Sequence, residues 1–309
     1  MKKIAVIGSG TMGSGIAQVC ANSGYHIFVN DISQAILDDC KRRITINQKT
    51  LVGGKCISAK HISEANKRIE YTVNIKEAVR NCNLVIEAVP EIMDIKKTIF
   101  KQIDQFAPKN AIFISNTSGL SITELATATN RPDKVIGMNW WNPPHIIPLV
   151  EIVKGKTTSQ RTVDIVFETS KKIGKEPVLV KKPSPGFIGN RIQFAMFREA
   201  LAILEEGVAT AEDIDTAVKA GLGFRLPVIG PLEAADFGGL DVFLNISEYL
   251  LKHISNSQKP AKILTEQVSK NMLGIKTGKG FYDYSNKNID DLIRRRDEKF
   301  LELLKIIYK

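Results

Sequence analysis

"KIAVIGSGTMGSGIAQVCANSGYHIFVND", residues 3 to 31, decides the fold. Its first five residues, Lys3 to Ile7, read as a buried strand. The stretch from Thr11 reads as a helix that ends at Gly24, a natural C′ glycine. His26 to Asn30 reads as a second strand. Strand, helix and strand within about thirty residues make a βαβ unit. The turn between them carries Gly8, Gly10 and Gly13 in GxGxxG spacing. Gly8 allows a tight turn, Gly10 lets the backbone approach a pyrophosphate, and Gly13 lets helix and strand pack closely. The free N–H groups at the helix start, around Thr11 and Met12, favour the same phosphates. Asp31 ends the second strand, where a carboxylate accepts from ribose hydroxyls and repels a 2′-phosphate. No Arg or Lys follows until Lys41. NAD is therefore expected in preference to NADP.

Outward from this unit, apolar runs at 83–89, 111–115, 134–138, 149–153 and 177–181 read as further strands. Several are nearly continuous, as in a parallel sheet covered on both faces. The stretch 34–70 is rich in Lys, Arg and Asn and reads as a projecting helical hairpin. Ser121 and Glu124 form a capping box at a helix start. At 181–190 the composition changes, and beyond it strand signals give way to helical periodicity. A chain of 309 residues is expected to divide into two domains. The fold class expected is α/β: a Rossmann-type, doubly wound, mostly parallel sheet over 1–183 and a smaller all-helical domain over 184–309.

With 43% hydrophobic and 25% charged residues the composition is that of an ordinary globular protein. The N-terminal "MKKIAVIGSG" has an apolar run too short for a signal peptide, and no segment approaches a membrane span. Cys20, Cys40, Cys56 and Cys82 form no CxxC pair and read as free thiols in a reducing cytoplasm, with no metal site. The net charge of +10 comes from short, separated clusters such as Arg294-Arg295-Arg296. These read as solvated faces or as attraction for a small polyanion, and no nucleic-acid motif accompanies them.

Six motifs then occur in order over nearly the whole chain: "VIGSGTMGSGIAQ", "VIEAVPE", "SNTSGLSITELA", "NPPHIIPLVEIV", "PGFIGNR" and "LGIKTGKGFYDY". Together they resemble the L-3-hydroxyacyl-CoA dehydrogenase family. The resemblance implies NAD-dependent oxidation of (S)-3-hydroxyacyl-CoA to 3-oxoacyl-CoA, and the reverse. It implies an acyl-CoA substrate bound between the two domains, a homodimer made by the helical domain, and neither nucleic acid nor membrane as a partner. The family's catalytic histidine falls on Asn139, and its glutamate partner on Glu151. Ser118 and Asn190 match the positions that meet the substrate oxygen. Glu91 and Lys96 match positions near the nicotinamide and its phosphates, and Asn116 another cofactor-side position. The hairpin would help to bind coenzyme A.

Asn139 is a departure with chemical consequences. Alcohol oxidation needs a base, commonly a histidine with a pKa near 7. An amide exchanges hydrogen bonds but takes no proton near neutrality. An introduced His→Asn change, a natural variant with slow turnover or another base, and a silent NAD or acyl-CoA binder remain open. His145, six residues on, is the one histidine in the same loop. The stretch "NPP…IPLVE" also resembles the branch of the superfamily that includes lambda-crystallin and gulonate 3-dehydrogenase, which leaves a non-CoA hydroxy acid, gulonate- or carnitine-like, as the alternative substrate. Trp140 and Trp141, adjacent at a strand end, should point to opposite faces.

Overall fold

A computed structural model describes residues 2–308. Among these, eight strands form one sheet: β1 (Lys3–Ile7), β2 (His26–Asn30), β3 (Ile69–Thr72), β4 (Leu84–Glu87), β5 (Ile112–Ser115), β6 (Val135–Trp140), β7 (Leu149–Val153) and β8 (Glu176–Val180). Their order is β3-β2-β1-β4-β5-β6-β7-β8. All neighbours are parallel except β6 and β7, which run antiparallel with Asn139 opposite Glu151. The order reverses between β1 and β4, so a crevice opens there at the carboxyl ends of the strands.

The strands adjoin helices α1 (Thr11–Asn22), α2 (Gln34–Gly53), α3 (Ala59–Asn66), α4 (Ile75–Val79), α5 (Met93–Phe106), α6 (Ile122–Ala126) and α7 (Gln160–Lys172). Two apolar layers result. One face packs Ile4, Val6, Ile86 and Ile114 against Ile16 and Cys20 of α1. The other packs Ala5, Val85 and Phe113 against Phe100 and Ile103 of α5. Side chains alternate across each strand, which is why neighbouring residues feed opposite layers. Gly24 closes α1 at φ +87°, as its position suggested. The side chain of Ser121 accepts from Glu124 N. The Glu124 carboxylate accepts instead from Lys97 Nζ at 2.6 Å, so only half of the capping box forms.

Helices then take over: α8 (Gly189–Glu205), α9 (Ala211–Ala220), α10 (Leu222–Arg225), α11 (Pro231–Gly238), α12 (Leu240–Leu250), α13 (Lys262–Ser269) and α14 (Ile289–Ile307). The chain divides into two compact units. The first runs to Asn190 and takes in Arg296–Ile306 near the C-terminus; the second holds Arg191–Arg295. The last turns of α14 thus belong with the sheet. Leu301 is buried there with Leu51 and Ile146, and Lys305 donates to the carbonyl of Gly54. No helix among the described residues is long and apolar enough to cross a membrane.

Candidate active site

The crevice is a cavity of about 790 Å³ within the first unit. Four strand ends supply its walls: the glycine loop after β1, Asp31 after β2, Ala88 to Glu91 after β4, and Asn116 and Ser118 after β5. Asn139, Trp140 and Asn142 close it at the end of β6.

The glycine loop has the geometry its spacing requires. Gly8 sits at φ +91°, and a Cβ there would stand 2.7 Å from the carbonyl of Ala88. A Cβ on Gly13 would fall 1.8 Å from Gly8 O. A Cβ on Gly10 would meet nothing within 4 Å, so that face is free for a ligand. Gly10 is the N-cap of α1 and no side chain caps the helix. The first-turn N–H groups at Thr11 and Met12 therefore suit an anion. Asp31 is fixed by Ser9 N at 2.6 Å, Ser9 Oγ at 2.8 Å and Ile32 N at 2.8 Å. These residues fit a dinucleotide: backbone donors for the pyrophosphate and a carboxylate for the ribose. Arg43 reaches back from α2 to donate to Thr11 Oγ1 at 2.9 Å, steadied by Asp39 at 2.6 Å. Arg43 lies two residues beyond Lys41, the first basic residue after Asp31. The four-residue Asp39–Arg43 spacing was the available signal for a guanidinium held on one helix face.

Glu91 organises the next wall. Its Oε1 accepts from Thr117 Oγ1 at 2.5 Å, Ser118 N at 2.8 Å and Ser118 Oγ at 3.2 Å. Lys96 lies behind this wall and is fully buried. Its Nζ donates to Glu87 Oε1 at 2.6 Å and to the carbonyls of Val89 and Asn116. It meets the cavity through Asn116 and Glu91, not with its own ammonium. Glu87, which the apolar run 83–89 concealed, also accepts from Ser115 Oγ at 2.7 Å. Burial pushes its carboxyl up, and the Lys96 ammonium beside it pulls it back.

At the far end Asn139 Nδ2 donates to Glu151 Oε2 at 2.7 Å, across the antiparallel pair. Glu151 is fully buried. Its other oxygen accepts from Ile188 N at 2.8 Å and Gly189 N at 3.0 Å, at the start of α8. Trp141 Nε1 approaches Oε2 at 3.4 Å. Trp140 is 4% exposed and a wall of the cavity, while Trp141 packs on Gly189. Because Glu151 accepts from the amide nitrogen, Oδ1 is the Asn139 atom left to accept from a ligand hydroxyl. Asn190 follows Gly189 at the start of α8, half-buried, and is not among the walls of this cavity. Asn116 Oδ1 accepts from Trp140 N at 3.2 Å, tying the β5 and β6 ends together.

His145 is no substitute base. It does not line the cavity, and neither ring nitrogen has a hydrogen-bond partner among the described residues. Burial, with Lys175 and Arg296 nearby, pushes its pKa down to about 4.

A doubly wound sheet with this glycine loop, acidic strand end and polar constellation defines a dinucleotide-linked oxidoreductase. Comparison with known proteins carries the assignment further. Residues 3–183 match the model of the 3-hydroxyacyl-CoA dehydrogenase NAD binding domain, and residues 186–284 that of the C-terminal domain. A 3-hydroxybutyryl-CoA dehydrogenase of Clostridioides difficile is 44% identical over 92% of this chain and 99% of its own. A 5-formyl-3-hydroxy-2-methylpyridine 4-carboxylate 5-dehydrogenase of Mesorhizobium japonicum is 34% identical over 99% of this chain and 98% of its own. The crystal structure of a 5-dehydrogenase for that pyridine carboxylate, described as an NAD+ dependent dismutase, superposes with a TM-score of 0.92 at 34% identity, covering 99% and 98% of the two chains. That of the (S)-3-hydroxybutyryl-CoA dehydrogenase of Ralstonia eutropha gives 0.76 at 38% identity, covering 93% and 100%. The chain belongs to the 3-hydroxyacyl-CoA dehydrogenase family and is an NAD-dependent dehydrogenase.

Proposed function

We propose that this enzyme interconverts (S)-3-hydroxyacyl-CoA and 3-oxoacyl-CoA, slowly, with Asn139 where the family's reaction has a general base. The Asn139–Glu151 pair at the cavity's end carries this reading. NAD, when bound, accepts or delivers the hydride. Gly8, Gly10, Gly13, Thr11 and Met12 hold its phosphates, and Asp31 its ribose. Glu91, Lys96 and Asn116 shape the nicotinamide end. Asn139 Oδ1 accepts from the substrate hydroxyl, Ser118 and Asn190 hold its oxygen, and Glu151 fixes the amide's orientation. The proton leaves to solvent, since no group at Asn139 can keep it. Loss of general-base catalysis typically costs ~10²–10⁴-fold. The reading includes a nucleotide domain over 1–183, a substrate and dimerisation domain over 184–309, an acyl-CoA partner, a homodimer and a cytoplasmic setting.

One observation favours a second reading. The family match ends at residue 284, before α14. The end of that helix covers Leu51 and Gly54 on the hairpin assigned to coenzyme A. A small carboxylated carbonyl compound, such as the substrate named for the M. japonicum relative, would not need that surface. Turnover of acetoacetyl-CoA and of an aromatic aldehyde carboxylate, each with its NAD redox partner, separates the two. Acetoacetyl-CoA should be reduced; turnover of the aldehyde alone would replace the acyl-CoA reading. In either case NADH should bind more tightly than NADPH, and the reverse preference would remove the role given to Asp31.

A further inference from the structure

Lys175, which directly precedes β8, is an unusual residue to find beneath a catalytic loop. It is 5% exposed. No carboxylate lies within salt-bridge distance of it among the described residues. Its Nζ donates to the carbonyls of Pro144 and Ile147, both at 2.6 Å. It also stands 5.2 Å from the ring centroid of Trp140. Two carbonyls and an aromatic face thus surround one ammonium, a set that suits its three protons.

Those partners belong to one functional segment. Residues 141–148 connect Asn139 and Trp140 on β6 to Glu151 on β7, and Asn142 within them is a wall of the cavity. The loop is held at three other points. Pro144 presses on Gly15 of α1, where a Cβ would stand 2.4 Å from its ring. Ile146 packs with Leu51 and Leu301. Trp140 N is bonded to Asn116. None of these three can change its charge.

We propose that the Lys175 ammonium is the positioning group that sets the loop between β6 and β7, and with it the aim of Asn139 and Asn142 into the cavity. This rests on the dehydrogenase site described above and not on the identity of its substrate. The surroundings leave Lys175 as the group that titrates near neutrality. From α1, Cys20 faces it as an uncharged thiol, with burial pushing its pKa up to about 12. Tyr25, beside Cys20, is also raised. From the loop, His145 is neutral, with Arg296 of α14 also near it. Burial brings Lys175 itself down to about 8. Its folded value lies below its ordinary 10.5, so the fold disfavours the charge that the two carbonyls use. Above about pH 8 the neutral amine donates more weakly and the loop loosens.

Trp140 is one of two tryptophans in the chain, which gives a readout free of turnover. Tryptophan emission of the NADH-bound protein should titrate with a midpoint near pH 8. The transition should vanish in Lys175→Met and shrink in the Trp140→Phe control, where Trp141 alone reports the loop. Lys175→Arg keeps a charge that does not titrate and should flatten the transition too. With whichever substrate turns over, kcat/KM should fall above pH 8, and Lys175→Met should lower it by about tenfold or more. A transition near pH 8 that survives in Lys175→Arg, or a Lys175→Met variant with wild-type kcat/KM and pH profile, overturns the proposal. Should neither candidate substrate react, the function reading fails alone, because the emission titration still decides the role of Lys175. Should Lys175→Met not fold, the Arg variant carries the test.

Discussion

Every residue of β4 and β5 is buried, whereas helices α9 to α13 bury none of theirs. The first unit closes two apolar layers over its own sheet. The second leaves Phe224 79%, Leu232 83% and Phe237 79% exposed in the single chain. Apolar surface of that extent marks a contact face. The contrast separates two tasks. A nucleotide site needs fixed geometry, which a self-sufficient core supplies. The helical unit presents exposed apolar surface, the kind of face that the homodimer proposed above would use.

The largest effect should come from the first unit's interior. Glu87→Ala removes the closer carboxylate at 2.6 Å and leaves the buried Lys96 ammonium only Glu91 at 3.4 Å, and breaking such a buried pair costs about 3–5 kcal/mol. Urea unfolding should show it, together with weakened NADH binding through Asn116 and Glu91. Replacing both partners, Glu87→Leu with Lys96→Met, should cost much less stability. A double variant as unstable as the single one would mean that the ion pair is not the source.

Acid should attack the same unit. The folded His145 pKa of about 4 lies below the unfolded value near 6.5. The unfolded chain then binds more protons between pH 6.5 and 4, so stability falls as pH drops through that window. The loss should be about 2–3 kcal/mol, and His145→Leu should abolish it in urea midpoints measured across pH. An acid loss of the same size in that variant would assign it elsewhere.

The smallest effect should come from the second unit's surface. Leu232→Glu with Phe237→Glu should weaken self-association by about 2 kcal/mol, read by sedimentation. The sheet unit should keep its NADH affinity. An unchanged dimer would move the interface off α11.

Much of the first unit was legible because strand and helix periods are local. The apolar runs located seven strands, and the glycine spacing located the turn. β3 escaped because "IEYT" is short, half-solvated and at the sheet edge, where no apolar run is needed. Arg294 to Arg296 read as a solvated cluster and are exposed, while the helix that carries them returns to the sheet through Leu301, which the charge run did not show. Asn139 and Glu151 could be paired from the sequence because motif order placed both. Glu87, Lys175 and the buried setting of Lys96 could not, since each takes its meaning from contacts far along the chain.

The most direct test of the Asn139 assignment is NADH oxidation at saturating acetoacetyl-CoA by this chain and by Asn139→His, side by side across pH. With Glu151 2.7 Å from the Asn139 amide and already held by the start of α8, an imidazole has its orienting partner in place. The histidine should raise kcat by ~10²–10⁴-fold and introduce an ionisation near pH 7. Equal rates with the same pH profile in both proteins would contradict the assignment of position 139 as a disabled general base.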